Sequence, residues 1–271
     1  MPELPEVETT MRGMAARLRG RRITALEQRR PDLRFPLPER LPQRLVGRRL
    51  VGFGRRAKYI LAELDRNETM LLHLGMSGRL LLDGPPAGPH EHLTFGFDDG
   101  SVLRFVDPRR FGMLDLTRTS ELAQHPRLAQ LGLEPLEPDF DGAALAGALA
   151  KSMSPLKVAL MDQRRVVGVG NIYACESLYR ARLSPRRMAG GLRPAQSRRL
   201  ADAIRDVLTE AIGAGGSSLR DYMQADGELG VFQNAFAVYD REGLPCPRCG
   251  RAIVKLVQAN RATYMCSRCQ R

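Results

Sequence analysis

His92-Leu93-Thr94-Phe95-Gly96-Phe97, then Asp98-Asp99-Gly100, then Ser101-Val102-Leu103-Arg104-Phe105-Val106 is the stretch on which the fold turns. On both sides of Asp98-Asp99-Gly100, apolar residues alternate with polar or small ones, the period of a strand with one buried face. Asp-Gly supplies the positive-φ residues of a tight hairpin. Working outward, runs of the same kind begin at Ile23 and recur at 44–53, 57–64, 68–74, 79–82 and 112–116, split by Gly, Pro and Asp. Many short strands with turn signals between them predict a β-sandwich or barrel.

The pattern changes at both ends of this region. Upstream, Leu4, Val7, Met11, Met14 and Leu18 recur at spacings of three and four, an apolar helical stripe. Pro2 and Pro5 sit where a first turn needs no N–H, and Glu3, Glu6 and Glu8 put negative charge at the positive end of the helix dipole. Downstream, a Pro- and Glu-spotted stretch at 131–141 reads as a linker. Helical spacing then returns at 142–151, 156–161, 171–182 and 194–214, and a glycine-dotted segment covers 219–232. At 271 residues the chain has room for about two domains.

The 42 Lys and Arg residues against 30 Asp and Glu leave a formal charge of +12, and only Lys58, Lys151, Lys157 and Lys255 are lysines. Such a balance attracts nucleic acid or an anionic membrane surface; a basic enzyme from an arginine-rich proteome is the plainer alternative. No run of about 18 apolar residues could span a bilayer. Met1-Pro2-Glu3 lacks the basic, apolar start of a signal peptide, so a cytoplasmic protein is expected. Four of the five cysteines form two close pairs, Cys246-x2-Cys249 and Cys266-x2-Cys269, separated by sixteen residues. That is the ligand pattern of a structural zinc ribbon, whose four thiolates leave no open coordination position. Two disulfides are the alternative, and they fit poorly without an export signal. The ribbon hairpin is expected at 253–258 and 262–266 around Ala259-Asn260-Arg261, and Cys175 reads as a buried small hydrophobe.

Removal of Met1 would expose Pro2 as a secondary amine. An α-amino group titrates well below lysine and can attack an aldehyde-like carbon to give an iminium, with Glu3 beside it as an acid–base group. Taken alone, Pro2 is equally a good first helical residue.

Six blocks in one order carry more. They are Pro2-Glu3-Leu4-Pro5-Glu6-Val7-Glu8-Thr9, Arg55-Arg56-Ala57-Lys58-Tyr59, His73-Leu74-Gly75-Met76-Ser77-Gly78, Asp107-Pro108-Arg109-Arg110-Phe111-Gly112, Gly168-Val169-Gly170-Asn171-Ile172-Tyr173 and the four-cysteine ribbon. Together they resemble the bacterial formamidopyrimidine-DNA glycosylases (8-oxoguanine-DNA glycosylases) over essentially the whole chain. The endonuclease VIII branch more typically begins Pro-Glu-Gly-Pro-Glu, whereas Leu4 stands here.

The resemblance implies an α+β fold: an N-terminal β-sandwich with an N-terminal helix, a helix-two-turns-helix domain and a zinc ribbon. The domains are expected at 1–131 (catalytic β-sandwich), 132–141 (linker), 142–232 (helix-two-turns-helix with a lesion-covering loop that includes Arg220, Asp221 and Tyr222) and 233–271 (ribbon). It implies a DNA glycosylase with AP-lyase activity that excises oxidised purines and then cleaves the strand by β,δ-elimination. Pro2 would be the nucleophile, Glu3 the acid, Lys58 a proton donor in β-elimination that also suits phosphate pairing, and Arg261 a phosphate clamp with a further role in δ-elimination. Met76, Arg109 and Phe111 match the residues that fill the void left by an extruded base; core packing is the plainer reading of the first and last. His90, Lys157 and Asn171 match DNA-contacting positions. Met153 falls where relatives often carry a basic residue and can offer only backbone and apolar surface. The implied cofactor is one structural Zn²⁺ held by Cys246, Cys249, Cys266 and Cys269. The implied partner is double-stranded DNA bearing damaged purines, bound by a monomer and not at a membrane.

Overall fold

The computed structural model describes residues 1–86, 88–219 and 222–271. Arg220 and Asp221 therefore lie outside the described residues. The chain forms two compact units, residues 1–129 with 214–231, and residues 130–213 with 232–271.

The first unit begins with helix α1 (Leu4–Leu18), which buries Leu4, Val7, Met14 and Leu18, the face its spacing requires. Eight strands follow: β1 (Ile23–Gln28), β2 (Leu50–Arg56), β3 (Tyr59–Leu64), β4 (Glu68–His73), β5 (Arg79–Leu82), β6 (Glu91–Phe97), β7 (Val102–Val106) and β8 (Met113–Arg118). They make two antiparallel four-stranded sheets, in the orders β1-β6-β7-β5 and β2-β3-β4-β8. Ile60, Ala62, Leu64, Met70 and Leu72 from one sheet share a core with Leu80, Leu93, Phe95, Leu103 and Phe105 from the other. This is the expected β-sandwich.

Two local expectations give way. The run 44–53 is not one strand: helix α2 (Leu41–Leu45) precedes Gly47, and strand β2 begins only at Leu50. Leu41 and Leu45, four apart, bury the same helical face, and Gly47 sits at φ 88°, where a side chain would be strained. The second difference is residues 214–231, which the sequence places with the helical region but which pack within the first unit. The backbone N–H of Ser217 donates to Glu6 Oε1 (2.8 Å) and that of Leu82 donates to the carbonyl of Ala225 (2.7 Å).

The second unit contains α3 (Gly142–Leu149), α4 (Leu156–Leu160), α5 (Asn171–Arg180), α6 (Pro194–Gly213) and the hairpin β9 (Val254–Gln258)–β10 (Arg261–Met265). Asp141 caps α3 by accepting from the N–H groups of Ala143 and Ala144, both at 2.8 Å. The hairpin turns through Ala259 and Asn260, both with positive φ, so Arg261 opens β10 and pairs with Gln258. The ribbon shares a core with α5: Cys175 and Tyr179 pack with Val238, Cys246, Ile253 and Tyr264. No helix among the described residues is long and apolar enough to cross a membrane.

Phe105 is fully buried at the centre of the sandwich. Phe105→Ala is expected to lower the unfolding free energy by about 3–5 kcal/mol, read from denaturant titration. A loss below about 1 kcal/mol would mean that the two sheets do not share this core.

Candidate functional site

The first unit assembles its candidate residues on α1 and three tight turns. Pro2 and Glu3 are buried immediately before the first turn of α1. The Glu3 N–H donates to Glu6 Oε2 (2.8 Å), satisfying an N–H that the helix itself leaves without a partner. Glu6 is itself buried, and its other oxygen accepts from Ser217 N–H, so one carboxylate ties the head of α1 to residues 214–231. Tyr222, buried in the same segment, has its phenol pushed up by burial and by the neighbouring Glu6.

A second carboxylate on α1 is linked to the turn that bears Lys58. Glu8 Oε2 accepts from Arg55 Nε (2.7 Å), and the same guanidinium donates to the carbonyl of Ala57 (3.0 Å). Ala57 has φ 54° and, with Lys58, forms the two-residue turn between β2 and β3. The turn bearing Lys58 is thus fastened to the helix bearing Pro2 and Glu3. Lys58 is buried, with only 6% of the residue exposed. Next to it, the Tyr59 and His73 rings pack with centroids 4.8 Å apart. His73 Nδ1 accepts from the Gly75 N–H (3.0 Å), and burial, then the charges of Lys58 and Arg34, push its pKa down to about 4. His73 is therefore a neutral acceptor at pH 7.

The turns at 75–78 and 107–112 present Met76, Arg109 and Phe111, all exposed, and the Arg109 guanidinium carbon lies 4.9 Å from the Phe111 ring centroid. Core packing is excluded for Met76 and Phe111, which are 38% and 40% exposed. Gly75 is obligatory: at φ 64°, an added Cβ would lie 2.3 Å from the Phe111 carbonyl carbon. His90 is exposed in a short turn, and its carbonyl accepts from the Asp107 N–H (2.8 Å).

The second unit gathers the remainder. Gly168–Gly170 lead into α5, and Gln163 braces this turn by accepting from Gly168 N–H (2.8 Å) and donating to the Val169 carbonyl (3.0 Å). Asn171 opens α5 and donates from Nδ2 to the Ala262 carbonyl (2.9 Å). Lys157, expected at DNA, is only 1% exposed. Its ammonium donates to the same carbonyl (2.8 Å) and to Thr263 Oγ1 (2.7 Å). Lys157 and Asn171 together pin β10 one residue beyond Arg261, which is exposed at the hairpin end. Met153 is 85% exposed, an apolar side chain in water.

Sequence reasoning missed Glu176. Its buried carboxylate accepts from the N–H groups of Ala237 (2.9 Å), Val238 (3.0 Å) and Tyr239 (2.7 Å), fixing the turn that leads into the ribbon on α5. Burial raises its pKa against the opposing pull of these N–H groups. Glu6, Asp107 and His73 were missed as well. Only Glu6 carried a sequence signal, three residues after Glu3 at the head of a helix.

The four cysteine sulfurs all lie within 4.8 Å of one another, with Cys249–Cys266 at 3.5 Å and Cys246–Cys269 at 3.9 Å. A tetrahedron with zinc–sulfur bonds of about 2.3 Å has sulfur–sulfur edges of about 3.8 Å, so this donor set fits zinc and leaves no position for water.

Comparison with known proteins covers the same ground. Residues 1–114 match the formamidopyrimidine-DNA glycosylase N-terminal domain, residues 131–223 the formamidopyrimidine-DNA glycosylase H2TH domain, and residues 243–271 the zinc finger found in FPG and IleRS. The chain is 54% identical, over the full length of both, to a formamidopyrimidine-DNA glycosylase of Acidiphilium cryptum. It is similar to Lactococcus lactis Fpg (MutM) in complex with N7-benzyl-Fapy-dG DNA, with a TM-score of 0.91, 35% identity and 99% of each chain covered. It is also similar to MutM in complex with DNA containing carbocyclic 8-oxo-G, with a TM-score of 0.90, 35% identity and 99% of each chain covered.

Two measurements follow from this geometry. One zinc per chain is expected by metal analysis. Chelation should abolish amide-exchange protection in β9 and β10 while leaving the β-sandwich protected; a ribbon that stays protected without metal contradicts a structural zinc. For His73 the sign is set by its depressed pKa. As pH falls from about 6.5 to about 4, the unfolded chain takes up the proton first, so stability present above pH 6.5 is lost across that window. His73→Asn, which keeps an acceptor near Nδ1, should remove a pH-dependent loss on the order of 3 kcal/mol in denaturant titrations at pH 4–7. An unchanged pH dependence would contradict a neutral, half-buried imidazole.

Proposed function

The chain belongs to the formamidopyrimidine-DNA glycosylase family, and from that premise we propose that it excises oxidised purines, 8-oxoguanine and formamidopyrimidines, from duplex DNA and then cleaves the strand as an AP lyase. The observation that carries this reading is the chain's start: Pro2 is buried at the head of α1, and the Glu8–Arg55–Ala57 linkage holds the Lys58 turn to the same helix.

With Met1 removed, the Pro2 nitrogen is a secondary amine. It attacks C1′ of the damaged nucleotide, the C1′–N bond breaks, and the base leaves with the bonding electrons and a proton. Glu3 protonates the ring oxygen as the sugar opens, leaving an iminium between Pro2 and C1′. Loss of a C2′ proton then expels the 3′ phosphate, and a second elimination expels the 5′ phosphate. Lys58 supplies positive charge for phosphate and a proton for β-elimination. Arg261 clamps phosphate; its guanidinium holds its protons too tightly to be a good acid. Asn171, at the N-terminus of α5, suits another phosphate.

Extruding a base costs a few kcal/mol, which inserted side chains offset by filling the gap. Met76, Arg109 and Phe111 have the exposure for this, with the Arg109 guanidinium over the Phe111 ring, and Arg109 also offers that guanidinium to the orphaned cytosine. His90 is placed to meet the backbone. The burial of Lys157 supports an indirect role through β10, and Met153 contributes apolar surface alone. The four cysteines hold one structural zinc ion, which takes no part in the chemistry. The reading includes a monomer in the bacterial cytosol, where a reducing environment keeps the thiolates available for metal.

Borohydride is expected to trap a covalent complex with duplex DNA containing 8-oxoguanine opposite cytosine. An N-terminal tag should abolish trapping, because the nucleophile becomes an amide nitrogen. Stronger trapping on an oxidised pyrimidine would reassign the substrate, and strand cleavage by the tagged protein would refute the Pro2 mechanism.

A further inference from the structure

The turns at 75–78 and 107–112 carry Met76, Arg109 and Phe111 on their outer side and a connected buried network on their inner side. Asp107 is fully buried and Ser77 is 2% exposed. Ser77 Oγ donates to Asp107 Oδ1 (2.7 Å), and the Gly112 N–H donates to Asp107 Oδ2 (2.7 Å). The same Ser77 oxygen accepts from the Arg109 N–H (3.2 Å). Behind it, His92 Nε2 donates to the Asp107 carbonyl (2.8 Å) and the Asp107 N–H donates to the His90 carbonyl (2.8 Å). One carboxylate thus touches the turn of Met76 at Ser77 and the turn of Phe111 at Gly112, and one hydroxyl touches the backbone of Arg109.

We infer that Asp107 and Ser77 are positioning residues that hold these two turns in a single register, so that Met76, Arg109 and Phe111 enter a duplex as one rigid wedge. Burying a carboxylate is a poor way to gain stability, since desolvation offsets most of what its hydrogen bonds return. What it does provide is geometry: each oxygen has one short partner, on a different turn. The close approach of Gly75 to the Phe111 carbonyl shows that the turns already touch at backbone level, so a small slip of one displaces the other. A wedge that loses register fills the void less well, and the loss falls on extrusion of a paired base rather than on chemistry at C1′.

This inference rests on the proposed base excision, so its test separates the two. Ser77→Ala and Asp107→Asn are compared with the wild type on duplex 8-oxoguanine opposite cytosine and on a preformed abasic site, which has no base to extrude. A fluorescent cytosine analogue opposite the lesion reads insertion directly. Ser77→Ala, which removes the bonds to Asp107 and from the Arg109 N–H, should lose about tenfold in kcat/KM on 8-oxoguanine. It should lose less than about threefold on the abasic site and show a slower or smaller fluorescence step, with borohydride trapping of the abasic site intact. Because the two side chains act as one unit, the double variant should lose little more than the worse single one. If Asp107→Asn does not fold, Ser77→Ala alone decides. Equal losses on both substrates that track a fall in unfolding temperature, or a Ser77→Ala variant matching the wild type on 8-oxoguanine, would overturn the inference. A wild-type protein that traps neither substrate would instead overturn the proposed excision.

Discussion

The carboxylate of Glu6 fixes the head of α1 in place. It accepts the N–H of Glu3 through one oxygen and the N–H of Ser217 through the other, each at 2.8 Å, while only 2% of the residue remains exposed. An unpaired buried donor costs about 1–3 kcal/mol, so both partners are strongly held. The consequence reaches past stability. A nucleophile at the second residue would ordinarily fray, since chain termini are poorly ordered unless they are tied down. Here the terminus is the head of a helix whose apolar face, Leu4 to Leu18, is locked into the sandwich core.

The same device recurs wherever the chain must hold an irregular segment. Glu8 holds the Lys58 turn through Arg55, Asp107 holds the turns of Met76 and Phe111, and Glu176 gathers three successive N–H groups ahead of the ribbon. In each case a buried carboxylate satisfies donors that no helix or sheet ladder reaches, which a packed interior requires. The side chains that face outward from these segments, Met76, Arg109, Phe111 and Arg261, are exposed and yet stand on fixed backbone. Rigid support beneath exposed apolar and cationic groups is what insertion into a duplex demands, because ordering them on binding would subtract from the affinity.

Much of this was legible in the sequence, for reasons that differ by element. Alternation around Asp98-Asp99-Gly100 identified the hairpin β6–β7 because each strand has one face in the core. The cysteine spacing identified the ribbon because tetrahedral coordination leaves few alternatives. Residues 44–53 were misread because Leu45 and Leu50, both buried, belong to different elements on either side of Gly47. The docking of 214–231 on the first unit was invisible because backbone N–H groups, which every sequence has, make the contacts to Glu6. Lys157 illustrates a further limit: its residue type and neighbourhood suggest a phosphate partner, yet its ammonium is spent on the Ala262 carbonyl and Thr263. The buried carboxylates were hardest to see, since nothing local separates Asp107 or Glu176 from a solvated acid.

The proposed chemistry resides in the amine of the second residue, held by α1, and mass spectrometry of the proteolysed, borohydride-reduced adduct locates it. The modified peptide is expected to begin at Pro2, lack Met1 and carry the reduced sugar on its N-terminal nitrogen. An adduct located on Lys58 or on any other side chain would contradict it.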